Sequence, residues 1–404
     1  MVYLGLVVLL GIPVMLSELL IGRRAQRNAF GSFRLLAPGK KWWLVGVMGI
    51  AAAFMILAFY STIAGWTLEY LLHALLNSFA GKSSEELGTM FNDFHTQAFR
   101  PLLWQFIFLV MTAGIIMGGV RKGIEKYTKI LMPFLVVLLL IMAVRSITLP
   151  GAMGGLTFLF KPDFSEITSQ VFLSALGQAF FSLSIGMGTL ITYGSYISKK
   201  NKLGGIALEV SVIDTLIAIL AGVAIFPAVF AFSLDPAEGP GLIFHVLPNL
   251  FQQMPGGYIF SVMFFLLLVI AALTSSISIL EVVVAFMAEE LNMPRKRATL
   301  MATLAALFVG VFCTLSFGAL QGITIGQLSI FGLLDFTASN ILLPLGGLLI
   351  VLFVGWYLKS TDVKDELTNG GALRFRIFAV FMFVLKFIAP VAIAIVFLNS
   401  IGLI

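Results

Sequence analysis

Residues 168–198 read TSQVFLSALGQAFFSLSIGMGTLITYGSYIS. The stretch is apolar and long enough to cross a bilayer. Its centre, Phe180-Phe181-Ser182-Leu183-Ser184-Ile185-Gly186-Met187-Gly188, carries two serines and two glycines, residues poorly suited to a continuous buried helix. This pattern predicts a transmembrane helix broken near its middle. Backbone that leaves the helix at mid-membrane must still have its N–H and C=O groups satisfied, so it persists only inside protein or against a polar ligand. Midplane binding sites are built in this way, with half-helix ends and freed carbonyls facing charged groups. A Gly/Ser face for helix–helix packing is the competing reading of the same residues.

The rest of the chain agrees with a membrane setting. Of 404 residues, 60% are hydrophobic and 11% charged, and the mean hydropathy is +1.06. That is more apolar surface than one soluble core can hide, so the fold class is an all-α polytopic membrane protein. Ten apolar segments are expected, at about 2–22, 43–77, 101–120, 127–147, 168–198, 205–233, 257–288, 298–318, 327–358 and 377–400.

The net charge of +6 raises the question of nucleic acid, and the placement of the basic residues answers it. The loops 23–42, 121–129, 199–202, 289–297 and 359–376 hold 20 of the 25 Lys and Arg residues, and all five fall on one side of the expected spans. By the positive-inside rule that side is the cytoplasm, which points to a lipid bilayer and no nucleic acid as partner. The expected location is the cell inner (plasma) membrane, crossed many times. The segments near 78–100, 148–167, 234–256 and 319–326 then form outer loops. A lone Cys313 and three scattered histidines, His73, His95 and His245, suggest no metal cluster, no catalytic constellation and no enzyme.

Polar residues inside spans are costly and draw attention. Glu18 is expected to be a structural anchor near the inner end of the first span, with a functional role as the alternative. Tyr60 lies one helical turn beyond Ile56, so both share a face where a phenol could meet a polar ligand; packing is the plainer role for a tyrosine there. Asp214 is an isolated acid within a span and points to an ion path or a paired charge. The run Ala271-Ala272-Leu273-Thr274-Ser275-Ser276 offers hydroxyl and carbonyl oxygens that suit an alkali cation, although Ser/Thr clusters also bond back to their own helix. Lys386 in the last span has no assigned role, with pairing to an acid or lining an interface as the alternatives.

Several runs are individually distinctive: GIPVMLSELLIGRR (11–24), FYSTIAGWTLEY (59–70), RKGIEKYTKILMP (121–133), ALGQAFFSLSIGMGTLITYGSY (175–196) and ALTSSISI (272–279). Together, and in this order, they resemble the neurotransmitter:sodium symporter family with its LeuT-type fold. The resemblance covers essentially the whole chain. It implies one transporter domain over 1–404, with 1–147 an incomplete first repeat, 168–358 the second inverted repeat and 375–404 a peripheral last helix. The sequence matches the family's helices two to eleven, so an N-terminal piece carrying the first broken helix is expected to lie outside it.

Residue roles also follow from the resemblance. Ile56, Tyr60, Phe181, Ser184, Met187 and Ile279 match substrate-pocket positions, with Tyr60 bonding a substrate carboxylate and Phe181 closing the pocket from outside. Ser182 and Asp214 match a first sodium site; Ala271, Thr274 and Ser275 match a second. Tyr3, Gln178 and Ser182 match the chloride site of chloride-dependent members, but Ala218 stands where a hydroxyl is expected, and Asp214 one turn away could supply the negative charge. Asp335 and Glu289 match the outer and inner gate acids, expected here without their basic partners. The implied function is sodium-coupled symport of an amino acid or similar small zwitterion, independent of chloride, with Na+ as coupling ion and no organic cofactor. A non-transporting remnant and a channel-like protein on the same fold are the alternatives, and a homodimer stays open.

Overall fold

A computed structural model describes residues 2–162, 164–165, 168–232 and 242–403. Among these, nine helices of 19 to 34 residues are long and apolar enough to span a membrane. In hydrocarbon every backbone polar group must be satisfied within its own segment, which leaves helix as the only option for such runs. The helices are α1 (Val2–Ala25), α3 (Trp43–Leu75), α5 (Phe99–Met117), α6 (Lys122–Ile147), α10 (Leu203–Ala231), α12 (Gly257–Glu290), α13 (Arg295–Leu315), α14 (Ile330–Tyr357) and α16 (Phe378–Ser400). The tenth expected span is two halves, α8 (Ser169–Ser182) and α9 (Thr189–Tyr196), separated by six non-helical residues. Shorter helices α2 (Ala29–Leu36), α4 (Ser84–Thr96), α7 (Met153–Phe160), α11 (Leu247–Gln253) and α15 (Ser360–Leu367) lie between them. A small hairpin, β1 (Thr324–Ile325) with β2 (Leu328–Ser329), precedes α14.

Among the described residues, three of the expected outer loops hold helices, α4, α7 and α11. The segment 148–167, read as loop, holds α7. Its Gly155 brings it within contact of the α10 backbone: a Cβ there would lie 2.4 Å from the Phe226 carbonyl carbon. The apolar run Met153–Phe160 thus buries one face on α10 where a loop would leave it bare. Helix α4 begins with a capping box, Ser83 accepting from Glu86 N–H while Glu86 accepts from Ser83 N–H. That bond to the backbone N–H holds the Glu86 carboxyl below its ordinary range.

Three apolar clusters hold the helices together. One joins α1, α8, α14 and α16, a second joins α3, α5, α12 and α13, and a third packs the outer ends of α3, α6, α10 and α12 under α4 and α11. The two longest helices, α3 and α12, run along each other through the middle. At its basic end α1 terminates in Arg23, which is 1% exposed yet fully bonded. It donates from Nε to Glu366 Oε1 at 2.6 Å, from Nη1 to the Asn201 carbonyl at 2.7 Å and from Nη2 to Asn369 Oδ1 at 3.0 Å. A buried guanidinium is tolerated only when satisfied in this way, so Arg23 fixes α1 to α15 and to the turn after α9.

Candidate functional site around a helix break

The break between α8 and α9 is dictated by its residues. Ser184, Gly186 and Gly188 all take positive φ, at 56°, 85° and 73°. Gly186 needs glycine for packing as well as for the backbone, and Gly188 is closely approached by Gly49. A Cβ on Gly186 would lie 2.3 Å from the Leu343 carbonyl oxygen, and one on Gly49 of α3 would lie 3.1 Å from Gly188 N. The freed N–H of Gly186 donates to Glu18 Oε1 at 2.7 Å. Glu18 is fully buried in α1, and its Oε2 has no partner among the described residues. Thr189 Oγ1, at the first residue of α9, is likewise buried without a partner.

The break gathers most of the predicted side chains. On α3, Gly49, Ile56 and Tyr60 are spaced seven and four apart and share the face turned towards it. Ile56, Met187 and Ile279 are buried in one apolar cluster, with Tyr60 packed against them. The Tyr60 hydroxyl is within interaction range of Ser275. Ser184 is half-buried at the break, and Phe181, at the end of α8, is 39% exposed.

A second group lies on the other side of the break. Ser182 Oγ donates to Asp214 Oδ2 at 2.7 Å, and the Tyr3 hydroxyl is close enough to interact with both. Three residues that are 179 and 32 positions apart in sequence thus meet around one carboxylate. Gln178 stays outside this group, exposed on α8, and Ala218 is exposed on α10. On α12 the Ala271 carbonyl already accepts from Thr274 Oγ1 at 2.9 Å, with Ser275 exposed beside it.

Both gate acids are hydrogen-bonded by neutral groups. Glu289 Oε2 accepts from Asn28 N at 2.8 Å and from Asn28 Nδ2 at 2.9 Å. Asn28 caps α2 through its Oδ1, which accepts from Gly31 N–H, and this leaves its Nδ2 to donate to the acid. Asp335 accepts from Ser339 Oγ at 2.9 Å, one turn along its own helix.

Sequence reasoning passed over a buried network beneath the site. Glu281 is fully buried and takes a two-pronged Arg295 guanidinium, Nη1 to Oε1 at 3.0 Å and Nη2 to Oε2 at 2.5 Å. Tyr196 donates to Glu281 Oε1 at 2.7 Å, and Arg295 Nε donates to the Ile116 carbonyl at 3.1 Å. Above it, Tyr193 donates to Ser278 Oγ at 2.8 Å, and Ser278 donates to the Thr274 carbonyl at 3.3 Å. Two hydrogen-bonded groups therefore lie along α12, one joining α9 to the Thr274 turn and the other tying α9, α13 and α5 to Glu281 near the basic side. The signal was available: Glu281 is an acid within a span, three and seven residues from Ser278 and Thr274 on one face. A comparable cluster closes the outer side, where fully buried Glu69 bonds His73 Nε2 at 2.7 Å, Arg100 Nη2 at 2.7 Å and Trp104 Nε1.

Comparison with known proteins agrees with this architecture. The chain is similar to the crystal structure of MhsT in complex with L-phenylalanine, with a TM-score of 0.91 and 47% identity, covering 99% of this chain and 90% of that one. It is 38% identical over 403 residues to the uncharacterized sodium-dependent transporter YhdH of Bacillus subtilis, covering 100% of this chain and 89% of that protein. It is 37% identical over 406 residues to an uncharacterized sodium-dependent transporter of Haemophilus influenzae, covering 97% and 88%. The Sodium:neurotransmitter symporter family matches residues 95–403, and with relatives 38% and 37% identical along nearly the whole sequence, the chain belongs to that family.

Proposed function

We propose that the protein carries an amino acid or similar small zwitterion into the cell together with Na+, without a requirement for chloride, across the plasma membrane. The observation that carries this reading is the Ser182–Asp214 pair beside Tyr3 at a helix break. A carboxylate and a hydroxyl next to unwound backbone supply hard oxygen ligands and the negative charge that a sodium ion needs at membrane depth. The same charge takes the place of a bound anion, which is why chloride is dispensable.

In this reading Ala271, Thr274 and Ser275 hold a second sodium ion, and Tyr60 orients the substrate carboxylate. Ile56, Met187 and Ile279 offer an apolar wall to its side chain, and Phe181 closes over it. L-Phenylalanine in the MhsT crystal structure supports an apolar amino acid as cargo. No bond is made or broken. An inward-negative potential contributes about 2.3 kcal/mol per elementary charge per 100 mV, enough for one or two sodium ions to drive a neutral zwitterion uphill. One helix bundle would rock against the other about the site, with Asp335 and Glu289 closing opposite sides in turn.

Protein purified from its native source and reconstituted in vesicles tests the proposal. Saturable uptake of radiolabelled L-phenylalanine that needs an inward sodium gradient and survives replacement of chloride by gluconate is expected. Loss of uptake in gluconate would overturn chloride independence. Sodium conductance with no saturable uptake would favour a channel.

A further inference from the structure

Lys386 is the one charged residue of the last span, and none of the roles above uses it. It sits in a widened turn, Val384–Ile388, that faces a second widened turn, Phe353–Tyr357, at the end of α14. Gly355 makes that approach close: a Cβ there would lie 3.1 Å from the Leu385 carbonyl oxygen and 3.4 Å from Lys386 Cγ, so the lysine stem runs along the glycine. The carbonyl freed by the turn accepts from Trp356 Nε1 at 3.1 Å, and the Lys386 ammonium lies 5.7 Å from the centre of the same indole ring. Among the described residues no carboxylate is within ion-pair distance of that ammonium.

Depth is fixed by the neighbours. Trp356 is 60% exposed and is the penultimate residue of α14, just before the basic segment 359–376. Lys386 lies eight residues into α16 from the same side, about 12 Å of helix, a distance a lysine side chain spans in part by reaching back to the interface. Phe387 packs edge-on to Trp356 at 5.8 Å and also lines an apolar groove of about 690 Å³ between α8 and α16, with Phe172, Leu173, Val391 and Ile395. A cation with no carboxylate partner among the described residues therefore lies beside an apolar groove whose lining runs as far as Thr168 and Ser169.

We propose that Lys386 and Trp356 bind the phosphate of an anionic phospholipid, of the phosphatidylglycerol class, in the leaflet on the basic side, with an acyl chain laid along Phe387 into the α8–α16 groove. Charge complementarity selects this occupant. A zwitterionic lipid would bring its own cation to a site that already holds one. One lysine near the surface favours an anionic headgroup by roughly fivefold.

Native mass spectrometry of the full chain in detergent, offered phosphatidylglycerol and phosphatidylcholine with the same acyl chains, tests the site. The expected result is a roughly fivefold preference for phosphatidylglycerol that is lost in Lys386→Gln and kept in Lys386→Arg. Equal retention by Lys386→Gln, no preference in the unaltered protein, or displacement of the lipid by inorganic phosphate would each overturn the proposal, the last by showing a free-anion site. Should Lys386→Gln fail to fold, brominated phosphatidylglycerol should quench the fluorescence that is absent in Trp356→Phe more strongly than brominated phosphatidylcholine does. Equal quenching would overturn it.

Discussion

Replacing Asp214 by Asn keeps the size of the side chain and its bond from Ser182, and removes only the charge. A unit charge 4 Å from a cation is worth about 4 kcal/mol at an effective dielectric of 20, so sodium affinity should fall by more than about tenfold. Sodium titration of substrate binding would show it, and the variant should now respond to added chloride, since an anion could supply what was removed. Glu18 separates differently. Glu18→Gln retains an acceptor for the Gly186 N–H and should melt close to the unaltered protein, whereas Glu18→Ala leaves a buried donor unmet and should cost about 1–3 kcal/mol, read as a lower melting temperature in detergent.

At the scale of the element, the broken helix is the test piece. Gly186→Ala puts a Cβ 2.3 Å from the Leu343 carbonyl oxygen in a backbone with φ of 85°, so the break should lose its shape and transport should fall below detection. Gly177→Ala on α8, which meets nothing within 4 Å, is the control and should be tolerated. The break was legible in sequence because Ser182, Ser184, Gly186 and Gly188 interrupt an apolar run. Helix α7 was not, because Pro150, Gly151, Gly154 and Gly155 read as loop until α10 is beside them. Gly155 serves contact there, and a contact partner 71 residues away leaves no local mark.

For the whole molecule, the decisive links are pairs that one sequence cannot reveal. Arg23 and Glu366 are 343 positions apart, and Glu281 finds its partners on two other helices, Tyr196 on α9 and Arg295 on α13. Hydropathy located the spans, and basic loops set their orientation, but neither signal says which acid meets which base. Arg295→Ala should destabilise by about 3–5 kcal/mol, because it strands a fully buried carboxylate, and Glu281→Gln in the same chain should restore much of that loss. Thermal denaturation of the two single variants and the double one measures the coupling.

The clasp of Arg23 on Glu366, together with the Gly186–Glu18 bond, has a mechanical consequence. Gly22 and Gly194 bring α1 and α9 so close that a Cβ on either would strike the other's backbone, at 1.9 Å from the Ile191 oxygen and 2.7 Å from the Leu19 oxygen. Residues 2–25, 189–196 and 360–367 are therefore geared as one crank, with its pivot in the six residues before Thr189. Torque applied to α15 from the aqueous side is delivered at the middle of the membrane, and reaches α8 through its packing on residues 2–11 of α1.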